Sequence, residues 1–274
     1  MIKITSLCDN INNHKKFWTA EGNSILIEAN GVRVLYDVGR DGRILEHNLE
    51  ELGLSVSDLD YIVVSHAHKG HSGALSNLTL PEKATVLYGS GFGVPKFKLK
   101  EEVYKPVCNE LMFAQKLRNN QNAVCVDHVH EIIGDLLYVY VTSKTEHSAE
   151  ALMFCVKEGD SYRTDFFEEE LNVCIRTAKG LIILTGCAHR GLNNILDEAI
   201  SITKDRNILA LIGGTHIRED PVRLKAFYRT MHDYDIKNIA PSHCTGFKSV
   251  ARLANRYPKR YLEFNTGKTL TFES

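Results

Sequence analysis

The sequence has no apolar run near the ~20 residues that a membrane-spanning helix needs; stretches such as Ile208-Leu-Ala-Leu-Ile212 fall far short. It also lacks an excess of either charge. Thirty-three Lys and Arg stand against 34 Asp and Glu, a formal net charge of −1. Nothing in that balance calls for nucleic acid or an anionic membrane as partner. The one local cluster of lysines, Lys96, Lys98 and Lys100, is followed at once by Glu101 and Glu102 and reads as a solvated face. CxxC spacing is missing as well: the seven cysteines are scattered and odd in number. That pattern suits reduced thiols in a cytoplasmic protein better than a disulfide framework. The opening Met1-Ile-Lys-Ile-Thr-Ser-Leu-Cys8 is too short and too mixed for a signal peptide. What remains is an ordinary globular composition, 43% apolar and 24% charged, on a chain long enough to bury a substantial core.

Histidine is what the chain has in plenty, with 12 in all, and their placement carries the information. The apolar run at Tyr61-Ile-Val-Val reads as a buried strand, and it leads into Ser65-His66-Ala-His68-Lys-Gly-His71. Three imidazoles within six residues make a poor core and a good cation site, since neutral imidazole nitrogen is a preferred zinc ligand. Elsewhere the pattern alternates strands and helices. Strands are expected at Met1–Leu7, Ser24–Glu28 and Val32–Tyr36, the last two joined by Asn30-Gly31, a strong hairpin signal. A helix over 43–52 with Gly53 as its stop, a strand over 84–88, a helix over 107–118 and a strand over 136–142 follow. The stretch 90–165 is the least legible and is expected to be an insertion or lid. Beyond it come strands at Leu171–Arg176, Gly180–Leu184, Ile208–Ile212 and Lys237–Ala240, with helices over 193–202 and 222–232 between them. Apolar strands alternating with helices indicate an α/β architecture with covered sheets.

Four of these strands end in a histidine within a small-residue turn: His66, His189, His216 and His243. The carboxyl ends of strands in α/β sheets form the crevice where ligands bind, so residues from distant parts of the chain can meet there. Four such placements, one with two further histidines attached, point to a metal site. His14, His47, His128, His130, His147 and His232 match no motif.

His66-Ala-His68-Lys-Gly-His71 resembles the H-x-H-x-D-H signature of the metallo-β-lactamase superfamily, and Asp37-Val-Gly39 resembles its first motif. Thr185-Gly-Cys-Ala-His189, Gly213-Gly-Thr-His216 and Ser242-His-Cys-Thr-Gly246 are similar to one branch, the dihydropterin-aminobenzene phosphate synthase-like proteins. The resemblance implies a single domain over 1–274, a four-layer αββα sandwich, with the metal site at one edge of its two sheets. It implies a first metal site of His66, His68 and His189, and a second served by His71 and His243. Asp37 would orient a ligand from behind. His216 is either a further ligand or a substrate contact.

One departure matters: Gly70 stands where the signature has its Asp, and Gly213-Gly214 stand near the place of a bridging aspartate. Two dications about 4 Å apart repel, and anionic ligands normally offset that. The expectation is therefore one firmly bound zinc and a weak or empty second site; manganese and iron suit the same donors. Zinc on three histidines leaves a position for water and can lower that water's pKa to about 7. With no Asp at position 70, a hydrolase needs another catalytic group, for which His71, His216 or a carboxylate from the middle region are the candidates. Lys69, Arg190 and Arg218 stand beside the ligands and are candidates to receive an anionic group such as phosphate. Cys187 and Cys244 lie within two residues of His189 and His243 and are either buried fillers or metal ligands. The functional expectation is a metal-dependent hydrolase of a small, possibly phosphorylated substrate. The alternatives are a transferase like the pterin synthase branch, and a non-catalytic binding member that has lost the Asp.

Overall fold

The computed structural model describes residues 1–108, 115–117, 119–143 and 153–274. Two large sheets face each other. The first has seven strands in the order Thr269–Phe272, Ile2–Cys8, Ser24–Ala29, Val32–Tyr36, Tyr61–Val63, Thr85–Gly89 and Ala123–Val126. The second has six, in the order Asn238–Pro241, Ile208–Gly213, Gly180–Thr185, Leu171–Thr177, Leu137–Val141 and Val129–Ile133.

The period-2 geometry of a strand explains the layers. Ile25, Ile27, Val34 and Tyr36 of the first sheet meet Val173, Ile182, Leu184 and Ile212 of the second in one buried cluster between the sheets. Their neighbours in sequence face the other way. Leu26, Leu35 and Ile62 pack beneath Leu45 and Leu49 of the helix Gly42–Glu50. Ile183 and Leu211 pack beneath Ile195, Leu196, Phe227 and Met231 of the helices Leu192–Thr203 and Pro221–Asp233. Both faces of each sheet are thus covered, which is why the strands read as continuous apolar runs. The result is the α/β, four-layer αββα arrangement that the resemblance implied.

The helices at 192–203 and 221–233 match the sequence expectation closely, the second opened by Asp220, whose carboxylate accepts from the Val222 and Arg223 amides. The helix Phe247–Arg256 and the strand Thr269–Phe272 were not expected from the sequence. Its inward face is a narrow stripe, with Ser249 and Leu253 buried, Val250 and Ala254 half-buried and Phe247 exposed. The helix expected over 107–118 and His147 lie largely or wholly outside the described residues.

The stretch 90–165 is divided. Lys96–Lys100, Val103–Pro106, Phe154–Glu158 and Ser161–Thr164 form a separate four-stranded sheet, whereas Ala123–Val126, Val129–Ile133 and Leu137–Val141 belong to the two large sheets. A buried ion-pair cluster ties the small sheet down: Lys96 Nζ lies 2.6 Å from Asp165 and 2.9 Å from Glu169.

The parallel strands set the location of the site. Val32–Tyr36, Tyr61–Val63 and Thr85–Gly89 run parallel in one sheet, and Gly180–Thr185, Ile208–Gly213 and Asn238–Pro241 in the other. Gly213 is the tightest point of the second set. It has φ +114°, and a Cβ there would stand 2.1 Å from the Thr185 carbonyl oxygen. Gly213→Ala therefore combines an unfavourable φ with an unrelieved backbone clash. A loss of about 3 kcal/mol or more in urea unfolding is expected, or failure to accumulate in soluble form.

Candidate metal centre

Each of five candidate side chains follows the carboxyl end of a strand. Asp37 follows Tyr36, His66 follows Val63, His189 follows Thr185, His216 follows Gly213 and His243 follows Pro241. The turns that carry them are unusual. Asp37, Phe167, Ala188, His216, Arg218 and His243 all have φ between +46° and +62°, a region that non-glycine residues seldom occupy. Such conformations persist only where surrounding contacts over-determine them, and they gather at functional sites.

Those contacts are in place. Asp37 is fully buried, and its carboxylate accepts from the Ser65 amide at 2.7 Å, Ser65 Oγ at 2.9 Å and Asn23 Nδ2 at 2.9 Å. His71 Nδ1 stands 2.5 Å from the same carboxylate, which places the imidazole proton on Nδ1 and leaves Nε2 as a lone pair. Glu170, also buried, accepts from the backbone amides of His189 and Arg190 at 2.7 and 2.9 Å. Its carboxyl is pushed up to about 7 by burial, against the lowering effect of those two amides. Asp9 does the same for His243, accepting its amide at 2.6 Å, and burial raises its carboxyl to about 6. The Phe167 ring stacks on His189 with centroids 3.9 Å apart and planes 8° from parallel.

Held in this way, His66, His68 and His189 converge. Their ligating nitrogens lie within 4.8 Å of one another. In all three, Nε2 is buried and has no hydrogen-bond partner. Buried polar atoms are nearly always paired, and three left unpaired in one spot, facing each other, are a strong sign of a missing shared partner. All three histidines have pKa values well below the ordinary one. Burial is the largest cause, followed by the neighbouring imidazoles for His66 and His189 and by Lys96 for His68. They are neutral imidazoles with lone pairs available, the form that binds a cation. The three-nitrogen donor set fits zinc or another borderline ion.

The rest of the expected residues divide into two groups. His68, Lys69, Gly70, His71, His216, Arg218 and His243 all line one cavity of about 580 Å³. His71 and His243 meet there, their Nε2 atoms 3.0 Å apart. His216 is buried, with Nδ1 3.2 Å from Arg223 and Nε2 3.4 Å from Arg218, and burial with the Arg218 charge lowers its pKa to about 3. Arg190 belongs to the second group. It is buried beneath the site, its guanidinium donating to the carbonyls of Phe166 and Phe167, and it does not line the cavity. Its position next to His189 in sequence sends it the other way from the turn.

Asp9, Glu170, Phe167 and the cavity-lining Phe154 were not singled out from the sequence, and Lys98, expected on a solvated face, lines the cavity, while its neighbour Lys96 is buried. Asp9 directly follows the strand Ile2–Cys8, the same strand-end position that marked the histidines, so that signal was available. Glu170 sits in the acidic run Glu168–Glu170, where nothing local separates the two buried members from the exposed Glu168.

Position 70 is crowded. A Cβ at Gly70 would lie 3.2 Å from Gly22 Cα and 3.6 Å from His243 Cε1. Gly70→Asp would therefore aim a carboxylate toward His243 while pressing on backbone at Gly22. A stability loss of about 1–2 kcal/mol is expected from that overpacking; an unchanged unfolding midpoint would show that the 21–22 loop yields freely.

The comparisons agree with this geometry. The model of the metallo-beta-lactamase superfamily matches residues 19–107, the stretch carrying Asp37 and the His66–His71 motif. Over that stretch the chain is similar to the metallo-β-lactamase superfamily. It is 25% identical to 7,8-dihydropterin-6-methyl-4-(beta-D-ribofuranosyl)-aminobenzene-5'-phosphate synthase of Methanocaldococcus jannaschii, over 99% of this chain and 97% of that protein. An uncharacterized protein of the same archaeon is 28% identical over 93% of this chain and 94% of its own length. The fold is similar to that of Tm1679, a metal-dependent hydrolase of the beta-lactamase superfamily, with a TM-score of 0.81, 22% identity and full coverage of both chains. Among the described residues no helix is long and apolar enough to cross a membrane.

Proposed function

We propose that this chain is a metal-dependent enzyme acting on a small phosphate-bearing molecule, with the cation held by His66, His68 and His189. The observation that carries this reading is the set of three buried, unpartnered Nε2 atoms turned toward one another. A cation there supplies Lewis-acid polarisation of a phosphoryl or carbonyl oxygen. The protein's own part is to receive the anion: Lys69, Lys98, Arg40 and Arg218 line the adjoining cavity, with Glu21 its one acidic residue. Arg218 and Lys69 are the anion-receiving residues of the sequence analysis that this cavity supports.

Hydrolysis is the first reading. Its test is a panel of phosphodiester, phosphomonoester and thioester substrates with added zinc or manganese. Turnover that disappears with a chelator and returns with metal is expected; turnover indifferent to chelation would remove the reading. Group transfer is the second, supported by the end-to-end likeness to a synthase and by the absence of a carboxylate at position 70, where a water-activating base is expected. Formation of the pterin–aminobenzene phosphate conjugate from its two halves tests it. Activity gained only on Gly70→Asp would mean that the native chain binds without turning over.

A further inference from the structure

Beside the three-histidine set lies a second group of donors. Cys187 Sγ, Cys244 Sγ and a ring nitrogen of His216 are within 4.8 Å of one another. Cys187 is buried, and its sulfur stands 3.2 Å from His71 Nε2. Cys187, His66 and His71 also bring donor atoms within 4.8 Å, so this sulfur lies between the two groups. Cys187 and Cys244 come from the ends of different strands and both line the cavity. Room for the second sulfur exists only because position 214 has no side chain. A Cβ on Gly214 would stand 2.5 Å from Cys244 Sγ.

The chemistry of the group is as informative as its geometry. A second dication close to the first needs anionic ligands to offset repulsion, and residues 70, 213 and 214 are glycines. Asp37 and Glu170 are engaged behind the turns and Glu21 pairs with Arg40, so the anions within this donor group are its two thiolates. Ligands bound at 2.0–2.3 Å to one tetrahedral ion stand about 3.3–3.8 Å apart, a spacing that small side-chain rotations would give this group. His216 Nδ1 faces Arg223 at 3.2 Å and Nε2 faces the exposed Arg218 at the longer 3.4 Å; an ion taken by Nε2 would replace that longer contact.

We propose that Cys187, Cys244 and His216 form a second, soft cation site adjoining the three-histidine centre, with both cysteines bound as thiolates. The inference rests on the reading of His66, His68 and His189 as a metal centre. It replaces the expectation of a weak or empty second site, because that expectation counted imidazoles alone. Binding forms two metal–sulfur bonds and breaks two S–H bonds, releasing two protons to solvent with no change of oxidation state. The donors favour zinc or cadmium over manganese or magnesium.

The test begins with the full chain, reduced, stripped of metal and titrated with cobalt(II) or cadmium. Two equivalents should bind. The second should bring a thiolate-to-metal charge-transfer absorption in the near ultraviolet and a release of two protons. The double variant Cys187→Ser/Cys244→Ser should keep one equivalent and lose both the absorption and the proton release. One equivalent with no charge-transfer absorption in the native chain overturns the proposal and leaves the three-histidine centre standing. So does retention of both equivalents by the double variant. Charge-transfer absorption with the first equivalent places the sulfurs in the first site, and also overturns it. No binding at all removes both readings together. If the double variant does not fold, the absorption and proton count of the native chain decide the matter.

Discussion

Replacing His189 with alanine is expected to abolish the stabilisation that zinc gives to this protein while leaving the metal-free protein nearly as stable as before. The two halves of that result come from the same observation. In the metal-free chain, His66, His68 and His189 each bury an unpartnered Nε2. A buried polar atom without a partner costs about 1–3 kcal/mol. Removing one of the three relieves that cost and offsets part of the packing lost where the ring stacks on Phe167. The backbone contact from the His189 amide to Glu170 does not depend on the side chain and survives the substitution. In the presence of metal the balance reverses. A ligand present at 100 times its Kd stabilises the folded state by about 2.7 kcal/mol. Loss of a partner one step behind a metal ligand typically costs 10–100-fold in affinity. Loss of the ligand itself should cost roughly 100-fold or more, so the zinc-dependent gain should fall close to zero. Urea unfolding of both proteins with and without zinc measures this directly. If His189→Ala kept the full zinc-dependent gain, the three-histidine centre would be wrong. Equal destabilisation of both forms would instead identify His189 as a packing residue.

The second large effect belongs to Asp37, and it should appear without any metal. Its carboxylate is fully buried and takes hydrogen bonds from the Ser65 amide, Ser65 Oγ, Asn23 Nδ2 and His71 Nδ1. Asp37→Ala takes the shared acceptor from all four donors in the core; of them Ser65 Oγ keeps an alternative, His66 Nδ1 at 2.9 Å. It also puts alanine at φ +62°, where a side chain without a local hydrogen bond is disfavoured by about 1–2 kcal/mol. The expected total is about 3–5 kcal/mol, less than the sum of single deletions because the donors share one acceptor and can relax together. The native surroundings are tightly packed: a Cβ on Gly186 would be 3.4 Å from the Asp37 carboxylate and 2.3 Å from Ser65 Oγ. A denaturation midpoint moved by less than the equivalent of about 1 kcal/mol would show that Asp37 is not the organiser of this turn. Asp37→Asn separates two roles. It keeps the shape but presents an amide N–H to one donor, so it should weaken zinc binding at the three-histidine centre by about 10-fold or more through Ser65 Oγ, which stands 2.9 Å from both the Asp37 carboxylate and His66 Nδ1, while costing less stability than alanine.

These two residues differ in how visible they were. His189 follows an apolar strand, and its position alone suggested a ligand. Asp37 was legible as a motif residue, but four bonds to one carboxylate depend on Asn23, Ser65 and His71, which only the folded chain brings together. Arg190 shows the limit from the other side: one residue further along the same turn, it points away from the cavity. Adjacency in sequence says little about direction where the backbone leaves regular structure, as it does at Ala188 with φ +58°.

The sequence by itself determined the layering and the list of candidate ligands. Period-2 alternation and apolar runs are local signals, and strand ends in parallel sheets share one edge, so histidines placed there must gather. Only the tertiary structure decided which nitrogens are left unpaired and which carboxylates stand behind them. It also brought Cys187 and Cys244, 57 residues apart, to the same cavity wall. Burial, orientation and pairing are properties of close packing among distant segments, and no local pattern encodes them. The glycines at 70, 213 and 214 carry both lessons. In the sequence they register as missing carboxylates; in the fold, two of them are points of contact where backbone and a cysteine sulfur fill the space.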